Sequence, residues 1–481
     1  MSRFNNPKAL ETAEPRANGR PGRAPLWKKP SVDAGDAPAA TAPARVAPPP
    51  LPLLRFGLFC FCLYWVSGPL NQLTFHVIHS KAYVSLLVVY AMPLVWLLTG
   101  NPFAGLRHKV GRYWAGIMVL MLASTVLSIW RTGSISVMVD YIGHCYLLFF
   151  YITSFICTIS QLKKLLYVTV GIDFFTLFLC MKFGGVDAAG RFSIRYDIYY
   201  ANSNDLALAL LVAITQFMFL MYAGGNGKKL LACAGIVLSM IYILKTGSRG
   251  CALAGLILVI IAFCFSKKKA AFALIAIGAV AAGLVLAPSA ARQRLLAIAL
   301  TSSSDLSEQE LGAARASQES REQLLRRSIV VSFTHPLLGV GPGMFAVEEN
   351  DYWKSIGQHT AWLGTHNTYT QISSECGIPA LILYLGVVFT CIRASFRAYK
   401  RTRNDPNAKD AAGLSFCVFC GLLVYSVAIF FFHIGYAPGM PFLSGMAVVL
   451  DRLVNVPAHN LAQVQRPPSP PLGLKRPAVA V

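Results

Sequence analysis

Three clusters of polar residues interrupt a very apolar chain, and the first surrounds Arg249. In the segment 246–250, which reads TGSRG, glycines on both sides of the Ser-Arg pair let a ligand or another backbone approach closely. A guanidinium in this setting is suited to binding an anion such as a phosphate group. The alternative is an arginine at a membrane interface whose side chain reaches toward the lipid headgroups. The segment by itself does not decide between the two.

The second cluster lies around Arg321, in a stretch rich in residues that favour helices. On a helix, Arg321 shares a face with Leu324, Leu325 and Ser328, which allows its side chain to point inward beside the two leucines. Taken alone, a charge at such a position most often faces solvent. The segment therefore predicts a helix and makes Arg321 a candidate site residue.

The third cluster is the segment 365–371, which reads THNTYTQ and is predicted to begin a helix. On that helix, Asn367, Gln371 and Glu375 follow one another at four-residue spacing and form one polar stripe. His366, at the helix start, is able to accept a proton near neutral pH. A lone histidine more often caps a helix or packs in a core, but the stripe beside it favours a site.

Two further arginines, Arg191 and Arg195, precede the segment 202–205, whose sequence NSND is well suited to capping the next helix. Either arginine could help to bind an anion. The chain contains no phosphate-binding loop of the Walker type, no HExxH and no DxD pair. Neither a cofactor nor a metal site is therefore predicted.

The composition identifies the kind of chain that must position these residues. Of its 481 residues, 55% are hydrophobic and 13% charged, with a mean hydropathy of +0.54. Ordinary soluble domains have about 25% charged residues. Too little polar surface remains to cover a water-soluble globule, so this is a membrane protein. The 12 cysteines lie almost all within apolar runs, and no disulfide framework is predicted.

Apolar stretches long enough to cross a bilayer recur about twelve times. We therefore predict an all-α integral membrane protein with about twelve transmembrane helices and one large, partly helical outer loop. The predicted spans are 56–75, 82–98, 114–130, 137–158, 164–183, 205–222, 230–246, 251–266, 270–287, 378–392, 413–432 and 435–450.

The basic residues predict the orientation of these helices. Lys and Arg number 43 against 21 Asp and Glu, a formal net charge of +22. They concentrate in alternate connections and in both tails, as cytoplasmic segments do. Both termini are therefore predicted to be cytoplasmic, and the positive charge is interpreted as a topology signal. Nucleic acid is not an expected partner.

The predicted organisation has five parts. They are a disordered basic Pro/Ala-rich tail at 1–52, a transmembrane bundle at 53–287, an outer loop at 288–377, transmembrane helices at 378–452 and a second disordered tail at 453–481. A loop as long as the third part is unusual unless it has a function.

Four motifs in this order make the chain resemble a known family. They are TGSRG at 246–250, SRxxL at 320–324, PLLGVGPGMF at 336–345 and HNxxxQxxxExG at 366–377. Together they resemble the O-antigen ligase and O-antigen polymerase superfamily of bacterial glycan-assembly membrane proteins, over about residues 196–384. One departure is Thr370, where the family usually has leucine.

The resemblance implies a metal-independent membrane glycosyltransferase at the outer face of the bacterial inner membrane. Its donor would be a glycan linked to polyprenyl diphosphate, and its acceptor would be a lipid or another glycan. The enzyme would bind both substrates at the lipid membrane. By the same resemblance, Arg249 and Arg321 would contact the diphosphate, and His366 would activate the acceptor or contact the donor. A ligase is favoured, while a polymerase and transfer to a protein hydroxyl remain open.

Two other classes of protein remain open. A lipid-glycan transporter or flippase suits a chain with many spans, and Asp140, His144 and Asp173 within apolar stretches could form a relay. The long outer loop and the absence of paired broken helices argue against this class. A non-catalytic scaffold of a glycan-assembly complex is the other alternative.

Overall fold

A computed structural model describes most of the apolar part of the chain. It covers residues 52–78, 83–99, 101–187, 190–194, 200, 202–266, 269–289, 291–292, 308–358 and 362–455. The predicted tails therefore lie almost entirely outside the described residues.

The described residues are almost entirely helical. In chain order, the helices are α1 Pro52–Ile78, α2 Tyr83–Thr99, α3 Lys109–Val126, α4 Arg131–Tyr141, α5 Leu147–Phe155, α6 Ile159–Phe183, α7 Ser203–Ala223, α8 Asn226–Thr246, α9 Arg249–Phe265, α10 Lys269–Leu286, α11 Glu308–Thr334, α12 Phe345–Ser355, α13 Thr368–Cys376, α14 Ile378–Thr402, α15 Lys409–Ala428 and α16 Gly439–Leu450. A π-helical turn, Ile142–Tyr146, joins α4 to α5, and a second one, Asp451–Asn455, follows α16.

The prediction of an all-α chain with membrane-crossing helices is confirmed. Six helical stretches of the described residues are long and apolar enough to cross a bilayer, namely Arg131–Phe155, Ile159–Phe183, Ser203–Tyr222, Asn226–Thr246, Ile378–Thr402 and Pro406–Phe431. Three shorter apolar helices are Pro52–Gly68, Val88–Leu98 and Arg249–Phe265. The number of about twelve spans stays a prediction.

A small β-hairpin departs from the all-helical prediction. Strands β1, Gly184–Val186, and β2, Phe192–Ile194, pair antiparallel, with Gly185 opposite Ser193. Alternation of apolar residues over so short a stretch is too weak a signal to predict a strand. The hairpin is held by packing, because Phe192 is buried and its ring centroid lies 5.1 Å from that of Tyr242 on α8.

Local capping fixes where several helices begin. Thr158 and Gln161 form a capping box at the start of α6. At α7, the side chain of Asn202 accepts a hydrogen bond from the backbone N–H of Asn204, as the sequence predicted. Gly377, with φ at 89°, separates α13 from α14. A Cβ at Gly377 would lie 2.1 Å from the carbonyl oxygen of Leu337, so only glycine allows this approach.

The core that carries the site is rich in aromatic residues. The buried Trp114 of α3 donates a hydrogen bond from its indole to Ser444 Oγ of α16 at 3.0 Å. Its ring meets that of Tyr384 on α14 edge to face, with centroids 6.2 Å apart. These contacts hold three helices from distant parts of the sequence against one another.

Candidate functional site

The segment before α13 holds His366 in an unusual conformation. Asn367 caps the helix, since its side chain accepts hydrogen bonds from the backbone N–H groups of Tyr369 at 2.9 Å and Thr370 at 3.2 Å. Thr365 Oγ1 donates to the carbonyl oxygen of Asn367 at 2.8 Å. His366 has φ at 50°, and among the described residues no other non-glycine residue has a positive φ. Such a conformation persists only where its surroundings enforce it, and it is frequent at functional sites.

The imidazole of His366 is kept neutral by its surroundings. Burial, together with the nearby His433 and the charge of Arg321, lowers the pKa of His366 to about 4. The ring of His433 meets it edge to face, with centroids 4.9 Å apart. A neutral imidazole at neutral pH is able to accept a proton.

The charge of Arg321, on α11, acts on His366. On this helix Leu324 is 4% exposed and Ser328 is fully buried, while Leu325 is half-buried, so the face predicted beside Arg321 packs largely against the protein. Lower on the same helix, Ser332 Oγ lies 2.7 Å from Ser373 Oγ of α13, which fixes the two helices side by side. Packing of α11 on α13 thus brings Arg321 close enough to act on the charge state of His366.

Arg249 is the first residue of α9, and the next residue packs close to the segment that carries His433. Gly247 ends α8 in the left-handed region at φ 61°, which turns the chain into α9. Gly250 packs on the chain just before His433, where a Cβ would lie 2.7 Å from the Cβ of Phe431. The Arg249 side chain is half-buried and has no hydrogen-bond or ion-pair partner among the residues that the structure describes.

Arg191 lies beside this turn and joins three elements. Its Nε donates to the carbonyl oxygen of Thr246 at 3.1 Å, and its terminal nitrogen donates to Asn204 Oδ1 at 2.6 Å. The hairpin is thereby tied to the end of α8 and to the start of α7. Arg195 lies outside the described residues.

The polar stripe of α13 faces other parts of the protein. The buried carboxylate of Glu375 accepts hydrogen bonds from the backbone N–H of Gly343 at 2.9 Å and from the hydroxyl of Tyr436 at 2.7 Å. Gln371 Nε2 donates to the same carboxylate at 3.4 Å, and Gln371 Oε1 accepts from the backbone N–H of Gly435 at 2.9 Å. Burial raises the pKa of Glu375 to about 7, against the lowering effect of these hydrogen bonds. Both side chains therefore hold neighbouring segments in place.

His433 is the residue of this site that the sequence analysis missed. Thr368 fixes its position, because Thr368 Oγ1 donates to the carbonyl oxygen of Phe432 at 2.7 Å and accepts from the backbone N–H of Ile434 at 3.1 Å. The available signal was a histidine in the short connection between the predicted spans 413–432 and 435–450. Nothing in its sequence neighbourhood connects it to His366.

The residues considered for a relay do not join this site. His144 Nδ1 pairs with the exposed Asp140 at 3.0 Å on α4 and the following π-helical turn. Asp173 belongs to α6. Within the described ranges, no three His, Cys, Asp or Glu side chains are grouped so that they could hold a metal ion.

Comparison with known proteins agrees with the motifs. Residues 234–385 match the family model described as O-antigen ligase. Over these residues the chain is similar to the O-antigen ligase family. The match includes Arg249, Arg321, His366, Asn367, Gln371 and Glu375.

The family resemblance predicted from the motifs is thus confirmed. Arg191 and His433 lie outside the matched segment, and each contacts a residue within it, namely Thr246 and His366. No curated protein gives a significant match to the chain.

Proposed function

We propose that this protein is a membrane glycosyltransferase of the O-antigen ligase type. It moves a glycan from a polyprenyl diphosphate, such as undecaprenyl diphosphate, to an acceptor hydroxyl. The observation that carries this proposal is the imidazole of His366, which is kept neutral and lies within electrostatic range of Arg321 in the segment that matches the O-antigen ligase family. One group is able to take a proton and the other to stabilise an anion.

The reaction needs a base and a stabilised leaving group. The acceptor oxygen attacks the anomeric carbon, the bond from this carbon to the diphosphate oxygen breaks, and the electron pair leaves with the diphosphate. His366 takes the proton of the acceptor hydroxyl. Arg249 and Arg321 stabilise the negative charge that develops on the diphosphate, in the way fixed guanidiniums bind phosphate oxygens.

The other candidate residues would support this arrangement. Arg191 is proposed to assist anion binding near the turn that leads to Arg249, and Arg195 is a candidate for the same task. Asn367 positions His366 through its cap. For Gln371 and Glu375, hydrogen bonds to the protein favour a positioning role over direct contact with substrate.

We further propose that the site faces the outer side of the inner membrane. The distribution of Lys and Arg supports cytoplasmic termini and an outer position for the 288–377 segment. A site at that face matches a donor whose lipid stays in the bilayer.

The two guanidiniums make a metal unnecessary, so transfer is expected to continue in EDTA. Strict dependence on added Mg²⁺ would contradict this mechanism.

The fate of the lipid-linked glycan in cells tests the proposal. Cells lacking the protein are complemented with the wild type, with His366→Ala or with no gene, and the carrier-linked and transferred glycans are separated. Long polymer that accumulates on the carrier supports a ligase. Single repeat units on the acceptor indicate a polymerase instead, and units trapped on the inner leaflet indicate a transporter. Normal glycan output with His366→Ala would favour a scaffold.

A further inference from the structure

An open surface cleft lies between α11 and α12, and we refer to it as the α11–α12 cleft. It has a volume of about 410 Å³. Its lining combines two aromatic residues with charged and amide side chains, namely Glu319, Glu322, Gln323, Arg326, Arg327, Tyr352 and Trp353. The volume falls in the range of small-molecule sites in proteins.

One wall of the cleft is held rigid by a buried carboxylate. Glu349, 1% exposed, accepts hydrogen bonds from Arg327 Nε at 2.9 Å and from the indole nitrogen of Trp353 at 2.7 Å. The guanidinium of Arg327 also stacks on the ring of Tyr352, 3.5 Å from its centroid. Both aromatic rings therefore have fixed positions before any ligand arrives, which lowers the entropic cost of binding.

The cleft and the proposed catalytic centre use opposite faces of α11. At 100° per residue, Glu319, Gln323 and Arg326 lie about 140° to 160° around the helix from Arg321. Leu324 and Ser328, on the Arg321 side, are buried, whereas Glu322 and Arg326 are exposed. The two sites are thus separated by roughly the 10 Å diameter of a helix.

The polar rim of the cleft suits hydroxyl groups better than a charged ligand. Arg326 and Glu322 form an exposed ion pair at 2.7 Å. Such a pair is weak in water, and both partners are able to exchange it for other hydrogen bonds. Carboxylates and guanidiniums line the cleft in equal number. Their charges balance, so the electrostatic potential of the cleft does not favour an anion such as a diphosphate or a lipid headgroup.

We propose that the α11–α12 cleft binds a sugar of the glycan chain that lies away from the reacting end. A pyranose ring presents an apolar C–H face, which stacks on an aromatic ring, and an edge of hydroxyls, which pair with carboxylate, amide and guanidinium groups. Tyr352 and Trp353 provide the rings, and Glu319 and Gln323 provide polar groups. This inference rests on the proposed function and adds a second saccharide contact to it.

The test measures binding of glycan that carries no diphosphate. Full-length protein in detergent is titrated with the soluble polysaccharide that mild acid releases from the carrier lipid of the host cells. Tyr352→Ala is expected to weaken binding by about tenfold, while Tyr352→Phe keeps the ring and most of the affinity. Gln323→Ala is a second cleft variant, which leaves the Glu349 hydrogen bonds in place. Lys354→Ala, on the same helix but outside the cleft, is the matched control.

Arg321→Ala separates this cleft from the diphosphate site. The variant is expected to bind the soluble polysaccharide as the wild type does, because its side chain is on the other face of α11. If Tyr352→Ala and Gln323→Ala bind as tightly as the wild type while the wild type supports glycan transfer in cells, the cleft proposal is overturned and the proposed function stands. If the wild type neither binds the polysaccharide nor affects glycan transfer, both fail.

Discussion

The rings of His366 and His433 meet edge to face, with centroids 4.9 Å apart, although the two residues belong to separate segments of the chain. This contact is one reason why the pKa of His366 lies near 4, below its ordinary value of 6.5. The imidazole that the proposed reaction needs as a base is therefore neutral over the whole physiological range.

The contact between His366 and His433 predicts how the pH dependence of glycan transfer responds to a change at His433. Activity that needs neutral His366 is lost as the pH falls through its pKa, which His433 helps to lower. His433→Phe keeps an aromatic ring but removes the electrostatic effect, so the acidic limb of the rate profile should move to higher pH. The measurement is the initial rate of glycan transfer against pH for both proteins. Superimposable acidic limbs would show that His433 does not tune His366.

Loss of His366 itself should be more severe. His366→Ala removes the proposed base, and transfer is expected to fall by about a hundredfold or more. His335→Ala provides a control, because His335 is an exposed histidine at the end of α11. Rates are compared at equal amounts of folded protein in the membrane. Equal rates for the two variants would contradict a role for His366 in the chemistry.

The two arginines of the proposed diphosphate site should respond to geometry as well as charge. Arg249→Ala and Arg321→Ala are each expected to lower transfer by about a hundredfold, since each removes a donor to the leaving group. Lysine at either position keeps the charge but loses the planar pair of donors, so recovery should be partial. The exposed Lys229→Ala on α8 serves as control. Full activity of either alanine variant would remove that arginine from the mechanism.

Arg191 and Asn204 should act as one unit. Arg191→Ala and Asn204→Ala each break the 2.6 Å hydrogen bond that ties the hairpin to α7. Because both changes remove the same contact, the double variant should lose less stability than the sum of the single losses. Thermal unfolding of the four proteins in detergent gives this coupling. If the loss of stability in the double variant equals the sum of the two single losses, the hydrogen bond contributes nothing measurable to stability.

Glu375 should matter for stability and should do so more strongly at low pH. Glu375→Ala leaves the N–H of Gly343 and the hydroxyl of Tyr436 without their buried acceptor, at a cost of about 3 kcal/mol. Glu348→Ala on α12 is the matched control. The experiment compares the free energy of unfolding of the three proteins.

The pH dependence follows from the direction of the shift. The pKa of Glu375 rises from 4.5 to about 7 on folding, so the folded protein holds this proton more tightly than the unfolded chain. The stabilisation that comes from this tighter proton binding is complete below the pKa that Glu375 has in the unfolded chain. It is lost as the pH rises through about 7. The difference in stability between the wild type and Glu375→Ala should therefore shrink from about pH 5 to about pH 8. A difference that grows over this range would contradict the raised pKa.

Much of this protein could be predicted from the sequence, because the signals involved are local. Composition and long apolar runs indicate membrane-crossing helices, and the cap at Asn202 depends on a residue two positions away. The four motifs were recognisable by their order alone, and they predicted the family that the comparison confirmed.

Only the tertiary structure decided which of these residues meet. Leu324 and Ser328 are buried on the face of α11 that the helical pattern places beside Arg321, but the proximity of Arg321 to His366 depends on the packing of α11 on α13. Thr368 holds the segment of His433 at the site through a hydrogen bond to the backbone of Phe432, and no local sequence pattern predicts this contact. The stripe of Gln371 and Glu375 looks like an exposed polar surface on a helical wheel. In the fold, other segments cover it, because buried backbone N–H groups need acceptors and these side chains provide them.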